Sequence, residues 1–341
     1  MSGPVKVAVL LPCYNEELTV GRTIAGFRQA LPDAEIWVCD NNSKDRTAEV
    51  ARAAGAIVVT EYLQGKGAAV RRLFAEAEAD IYIMADGDET YDPNVAPNLV
   101  QLMMSERLDM IIGGRLKTDA TKAFRRGHMF GNMMFSKMIS RMFRTKIADL
   151  FSGYRFMSRR FVKTFPANSQ GFEIESELTI HLVDNNLPYR EVETFYASRP
   201  EGSVSKLSSY RDGFRILRAI VDLFRHFKPL SFFGALSILV FIAALGLSVT
   251  LFVHYFTTGL VPNLPTAVLV TGLGVVAFIL MICGLILDAM RSFRRAQFRT
   301  QYLAMSTKVI EERAQREDES SLALMEKSEP AFRRKGQGLD A

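Results

Sequence analysis

Short apolar runs rich in β-formers punctuate the first third of the chain, at residues 5–11, 36–39, 56–60, 81–85 and 110–112. Between them lie segments with helical spacing, at 18–30, 47–54, 68–79 and 96–105. Strands alternating with helices predict an α/β domain built on a doubly wound, mostly parallel sheet that extends to about Thr194. Pro32-Asp33 is expected to end the first helix and Asp92-Pro93 to open the fourth.

The pattern then changes. In residues 124–146, Phe130, Met134, Met138 and Met142 recur at helical spacing among Arg125, Arg126, Lys137, Arg141 and Arg144. This reads as an amphipathic helix lying on an anionic membrane surface, in preference to a core helix with a solvated basic side. Residues 208–228 have a similar composition and are expected to form a juxtamembrane helix. From Pro229 to Leu287 there is no Lys, Arg, Asp or Glu. That length accommodates two membrane-spanning helices of about 20 apolar residues each. They are expected at 230–255 and 266–287, in a hairpin covering 229–290. Gly259, Pro262, Asn263 and Pro265 mark the turn between them. A buried soluble hairpin is disfavoured, because soluble core helices are seldom apolar on every face over this length.

The formal net charge of +5 is unevenly placed. Arg211, Arg215, Arg218, Arg225 and Lys228 precede the first span, and Arg291, Arg294, Arg295 and Arg299 follow the second. The loop between them carries no Lys or Arg, which predicts cytoplasmic termini and a plasma- or inner-membrane protein with a cytoplasmic main domain. The 5–11 run is too short for a signal-peptide core. Residues 291–341 read as a charged cytoplasmic tail, a frayed helix and then disorder. Cys13, Cys39 and Cys283 fit a reducing compartment and lack metal-ligand spacing.

Candidate chemistry gathers at the predicted strand ends. Asp86-Gly87-Asp88 follows the fourth strand, where open α/β sheets bind ligands. Its carboxylates suit Mg²⁺ or Mn²⁺ holding a diphosphate, although an isolated Asp-x-Asp is equally a polar turn. Pro12-Cys13-Tyr14-Asn15-Glu16-Glu17 follows the first strand and Asp40-Asn41-Asn42-Ser43-Lys44-Asp45 the second. Parallel neighbours bring all three loops to one sheet edge, where carboxylates can accept ribose hydroxyl or base N–H groups. Taken singly, Asp45 or Asn42 would cap a helix. Gln64-Gly65-Lys66-Gly67 is a tight turn or a small basic phosphate loop.

Together these residues resemble family 2 glycosyltransferases of the GT-A fold. The resemblance runs through Gly114-Arg115 and Asp149-Leu150-Phe151-Ser152-Gly153-Tyr154-Arg155. It continues through Gly171-Phe172-Glu173-Ile174-Glu175 to Arg199-Pro200-Glu201-Gly202-Ser203-Val204-Ser205-Lys206-Leu207. The last set is similar to the polyprenyl-phosphate branch, which includes dolichol-phosphate mannose synthases and bactoprenol glucosyltransferases. The likeness implies a GT-A domain over 1–207. It implies that Pro12, Tyr14, Asn15, Glu16, Asp40 and Asn42, with Lys66 and Asp86, line the nucleotide pocket. Asp86 and Asp88 would hold Mg²⁺ or Mn²⁺ and act in catalysis with Arg155. Arg115, Ser152, Arg199, Ser205 and Lys206 would gather around the acceptor phosphate. Many members carry Gln two residues after the second Asp, where this chain has Thr90; Glu89 is a further candidate ligand.

The implied reaction is inverting transfer of one sugar from a nucleotide-sugar, UDP-linked in preference to GDP-linked, to a polyprenyl phosphate. The product would be a lipid-linked sugar for cell-envelope glycans. A phosphate acceptor needs no strong general base, since its second pKa is about 6. That agrees with scattered histidines, of which His181 reads as a core residue. A processive polysaccharide synthase would carry Gln-x-x-Arg-Trp, yet the single tryptophan is Trp37 in an early strand. A non-catalytic nucleotide sensor is disfavoured by the intact Asp86, Asp88, Arg155 and Lys206, and a channel by spans without buried ionisable residues. No nucleic-acid partner is expected. Two spans per chain allow a homo-oligomer.

Overall fold

The computed structural model describes residues 5–115, 147, 149–167, 169, 174–197, 225, 227–260 and 263–305. The predicted membrane-surface helix at 124–146, most of 208–228 and the tail beyond 305 lie outside the described residues. The chain divides into two compact units, Met1–Lys206 with Gln301–Ala341, and Leu207–Thr300.

The first unit is built on a seven-stranded sheet of order β3-β2-β1-β4-β6-β5-β7. Its strands are β1 (Val7–Cys13), β2 (Glu35–Asp40), β3 (Ile57–Thr60), β4 (Ile81–Met84), β5 (Met110–Arg115), β6 (Arg155–Ser158) and β7 (Tyr189–Thr194). β1 lies between β2 and β4 and is parallel to both, with Val9 opposite Ile36 on one side and Ile83 on the other. Covered on both faces, β1 and β4 read as continuous apolar runs, as buried parallel strands do. The chain winds outward from β1 to β3, then crosses back to β4, so the topological switch lies between β1 and β4. β6 is antiparallel to both β4 and β5, and β7 is parallel to β5.

Helices α1 (Val20–Ala30), α2 (Thr47–Ala53), α3 (Lys66–Glu76) and α4 (Ala96–Ser105) connect the early strands. Val20, Thr23, Ile24 and Phe27 are the buried residues of α1, one helical face. The Asp92 side chain accepts from Asn94 N at 2.9 Å, capping a 3₁₀ turn that leads into α4. Two boundaries shift from the sequence expectation. β1 extends through Pro12 because Pro12 lies past Leu10, where pairing with β4 ends, so its missing N–H removes no ladder bond there. α3 stops before Ala79 because Ala77 turns extended, letting Asp80 N donate to Lys6 O at 2.8 Å and begin β4.

Further on, α5 (Arg159–Thr164) is capped by Ser158 Oγ, which accepts from Phe161 N, and α6 (Ile174–Asp184) packs a largely buried surface. On the core side Tyr154, Tyr91 and Phe156 join the aliphatic residues of β1 and β4. The cysteines among the described residues are free, and Cys13 and Cys39 are buried on adjacent strands.

The second unit contains α7 (Pro229–Thr258) and all but the last residues of α8 (Leu264–Ala304), both long and apolar enough to cross a membrane. At 1.5 Å per residue, either exceeds a hydrocarbon core of about 30 Å. Their large apolar side chains face outward: Phe241 is 56% and Phe278 66% exposed. Small residues line their contact. Ser237 Oγ donates to Ala277 O at 2.6 Å, and a Cβ on Gly284 would lie 3.1 Å from Phe233 Cβ. Gly259, at φ 73°, terminates α7 in the left-handed region. α8 runs past the expected end of the span because neither Gly nor Pro occurs between Leu285 and Ala304.

Candidate active site

The carboxyl ends of β1, β2 and β4 lie side by side, and their loops are laced together. Asn15 N donates to Ser43 Oγ at 3.0 Å, and Lys44 N donates back to Asn15 Oδ1 at 2.8 Å. Glu16 N donates to Thr47 Oγ1 at 2.8 Å and Glu17 N to Asp45 Oδ2 at 3.2 Å. Asn15 and Asn42 take φ of 54° and 59°, a left-handed geometry that Asn tolerates better than most residues. Asp40 is buried and accepts from Ser43 N at 3.3 Å, while Pro12, Tyr14 and Glu16 are partly exposed at the same edge. Asp45 serves its neighbour Thr47, accepting from its N at 3.0 Å, as a helix-entry residue would.

Asn41, not singled out by the sequence reading, joins this edge to the Lys66 loop. Its amide donates to Glu61 O and Leu63 O and accepts from Gly65 N at 2.7 Å. Gly65 sits at φ 141°, which permits that approach. The next residue, Lys66, begins α3 and delivers its ammonium to two carboxylates at 2.5 Å each, Asp86 Oδ1 and Glu175 Oε1. The Lys66 and Glu175 side chains are 9% and 6% exposed, whereas Asp86 is 25% exposed. Burial alone would lower the Lys66 pKa, but Asp86 and Glu175 outweigh it and hold the ammonium above the usual lysine range. Glu175 Oε2 is buried and has no hydrogen-bond partner among the described residues.

Asp88 is turned inward. It is 2% exposed, and its Oδ1 accepts from Thr90 Oγ1 at 2.6 Å. Thr90, standing where many family members carry Gln, is itself fully buried and acts as an orienting donor. Glu89 does not join its acidic neighbours: at φ 62° it forks onto Arg22, with Arg22 Nε donating at 2.8 Å and 3.0 Å. The two glycines of this region are sterically required. A Cβ at Gly87 would lie 2.5 Å from Cys13 Sγ, and one at Gly153 would lie 2.9 Å from Asp86 Oδ2.

The antiparallel register of β6 carries residues 149–154 to the same edge, because Arg155 pairs with Met84. Here three sequence-selected residues make close contacts within the protein. Arg155 was expected to act on substrate, but it is fully buried, donating to Ser152 O, Leu150 O and Glu175 O at 2.9 Å each. Burial lowers its pKa to about 10 even with Glu175 and Asp149 nearby. Arg155 thereby ties the 150–152 loop to α6. Ser152, expected at the acceptor phosphate, is fully buried and donates to Gly113 O at 2.5 Å. Arg115 forms a fork with Asp149, both bonds 2.7 Å, and stacks 5.6 Å from the Tyr196 ring. The expected acceptor residues Arg199, Ser205 and Lys206 lie outside the described residues.

Tyr91 completes the support. Gly153 N donates to its hydroxyl at 2.8 Å, and its ring stacks on Tyr154 at 5.1 Å. Sequence reasoning missed Tyr91, Asn41, Asp149 and the role of Glu175. Their proximity to the motifs in the chain was the available signal for the first three.

Among the described residues no three His, Cys, Asp or Glu side chains form a metal cage. The hard carboxylates of Asp86 and Asp88 nevertheless suit Mg²⁺ or Mn²⁺, which commonly take one or two protein carboxylates and complete their shell with substrate phosphates. The residues present fit such an ion bound together with a diphosphate.

Residues 8–165 match the family model described as glycosyl transferase family 2. The chain is 32% identical over 259 residues to glycosyltransferase AglJ of Haloferax volcanii, covering 75% of this chain and 83% of that one. It is 26% identical over 217 residues to the dolichyl-phosphate hexose transferase of the same organism, covering 64% and 93%. The structure of glucosyl-3-phosphoglycerate synthase from Mycobacterium tuberculosis aligns with a TM-score of 0.51 at 23% identity, over 64% of this chain and 79% of that one. That likeness concerns the fold, and it agrees with the GT-A-type sheet found here. With its acidic pair at the sheet's switch point and a relative matched over most of its length, this chain belongs to glycosyl transferase family 2 and is a glycosyltransferase.

Proposed function

We propose that the protein transfers one sugar from a nucleotide-sugar to a polyprenyl phosphate at the cytoplasmic face of a membrane, with inversion at the anomeric carbon. The observation that carries this reading is the Asp86–Lys66 pair at the carboxyl end of β4, 2.5 Å apart, in a chain that also has two helices able to span a membrane. Asp86, with Asp88 close by in the chain, suits a cation-bound diphosphate that Lys66 can also meet, and a span keeps the enzyme beside a lipid acceptor. The relative named a dolichyl-phosphate hexose transferase supports the acceptor class. The Mycobacterium tuberculosis enzyme, solved with Mn²⁺ and UDP, supports a cation-dependent nucleotide donor.

Pro12, Tyr14, Asn15, Glu16, Asp40 and Asn42 would receive the nucleoside, with carboxylate and amide acceptors for its hydroxyl and N–H groups. Asp86 and Asp88 would hold Mg²⁺ or Mn²⁺, which when bound neutralises the leaving diphosphate. Lys66 adds a positive charge beside it, so the site favours the charge that develops as the glycosidic bond breaks. The acceptor phosphate is largely dianionic near neutral pH, so positioning does the work a general base would otherwise do. Arg199, Ser205 and Lys206 are the residues proposed to hold that phosphate, and Arg115 lies at the same sheet edge. The basic flanks of both spans support cytoplasmic termini.

The test combines purified protein in detergent with Mg²⁺, undecaprenyl phosphate and a panel of UDP- and GDP-sugars, with mass spectrometry of the lipid. A single lipid-linked monosaccharide is expected. Absence of lipid product with every donor would overturn the reading.

A further inference from the structure

Lys66 is buried between two carboxylates that come from distant parts of the chain, and only one of them, Asp86, belongs to the acidic motif. The other, Glu175, is held from behind. Its backbone carbonyl accepts from Arg155 at 2.9 Å and from Thr179 Oγ1 at 3.0 Å, so α6 is fixed where it presents the side chain. The second oxygen of Glu175 is buried and has no hydrogen-bond partner among the described residues. Asp86 differs from Glu175 in being a quarter exposed, so it is the carboxylate that an incoming ligand can reach.

This asymmetry gives the ammonium one permanent and one exchangeable partner. We propose that Lys66 is a movable counter-ion, occupying Asp86 when no donor is bound and passing to the donor's diphosphate when a divalent cation takes Asp86. Glu175 is the anchor that keeps the ammonium in the site during the exchange, and is a positioning residue. The inference rests on the donor reading given above. It explains why a lysine is buried against the more exposed carboxylate of the motif, where by itself it competes with the cation. With cation and diphosphate both present, the competition becomes cooperation: the cation occupies Asp86 and the ammonium meets a phosphate oxygen. No bond is made or broken in the exchange.

The exchange predicts effects of opposite sign, which a structural role would not produce. Lys66→Met should tighten binding of Mn²⁺ alone, read from the electron paramagnetic resonance of free Mn²⁺, by about threefold or more, because Asp86 loses its competitor. The same variant should weaken UDP binding at saturating Mn²⁺, read by calorimetry, by about tenfold, because a charge-assisted contact to the diphosphate is lost. Glu175→Gln should do the reverse to the cation: Lys66 then relies on Asp86 alone, and Mn²⁺ binding weakens.

The paired variant Lys66→Met with Glu175→Gln removes one charge of each sign and guards against misfolding of the single variant. It should retain the opposite shifts of Lys66→Met. Loss of both Mn²⁺ and UDP affinity together, or no change in either, would overturn the counter-ion role alone. Failure of the unmodified protein to bind UDP or GDP in the presence of Mn²⁺ would overturn the donor reading, and the counter-ion role with it.

Discussion

The hydroxyl of Thr90 lies 2.6 Å from Asp88 Oδ1, and both residues are buried. A buried carboxylate keeps its orientation only while its donors remain. Thr90→Val is isosteric but removes the donor, so Asp88 should lose both alignment and a charge-assisted hydrogen bond. The expected stability loss is about 1–3 kcal/mol. Turnover should fall by at least about tenfold, the equivalent of about 1.4 kcal/mol in the barrier. Thr90→Ser retains the hydroxyl and should stay close to the parent. Initial rates across a Mn²⁺ series, with thermal unfolding of each variant, check both.

Gly87 and Cys13 offer a steric test of how the acidic loop seats on β1. Gly87→Ala would place a Cβ 2.5 Å from Cys13 Sγ, against 3.8 Å from Cys13 Cβ. The single variant should be destabilised by about 1–3 kcal/mol, the usual cost of overpacking. Adding Cys13→Ala deletes the clashing sulfur and should recover part of that loss. A double-mutant cycle on unfolding midpoints measures the coupling, and strict additivity would show that the contact is not tight.

Arg155 is expected to behave as a structural hub. Arg155→Lys keeps a positive charge but cannot reach three carbonyls in a fork geometry. Leaving such groups unpaired should lower stability by about 3 kcal/mol, or roughly 6–12 °C for a domain of this size. If the residue instead acts directly on substrate, Arg155→Lys would reduce turnover with little change in the melting midpoint.

His181 supplies a pH dependence. It packs edge-on against Phe161 and Phe165, with centroids 5.7 Å and 5.3 Å away, and burial lowers its pKa to about 4 despite Asp184 and Glu177. Unfolded, the group binds a proton near pH 6.5, so between pH 6.5 and 4 the unfolded chain holds more protons than the folded one. Acidification across that window should therefore destabilise the domain, by up to about 3 kcal/mol from this group. Urea unfolding at several pH values checks it, and His181→Phe should flatten the profile there.

The strands around the site were legible because β1 and β4 are covered on both faces, and continuous apolar runs such as 81–85 announce that burial. The short strands β6 and β7 were not. β6, Arg155–Ser158, has only two apolar residues, and β7, Tyr189–Thr194, is mostly polar, so neither shows as an apolar run. For the same reason the destination of residues 149–155 was hidden. Their motif was visible, but only the antiparallel pairing of Arg155 with Met84 brings them to the ligand edge, with Arg155 itself buried beneath it.

By itself, the sequence determined the alternating α/β pattern, the acidic pair after β4, the two apolar helices and the family. Each is carried by residue type and spacing along the chain, segment by segment in a fixed order. The tertiary structure alone decided which charges meet. It set Glu89 on Arg22, Arg115 on Asp149, and Lys66 between Asp86 and Glu175. The physical reason is that an ion pair's partner is selected by chain crossings and burial, and neither leaves a periodic trace along the chain.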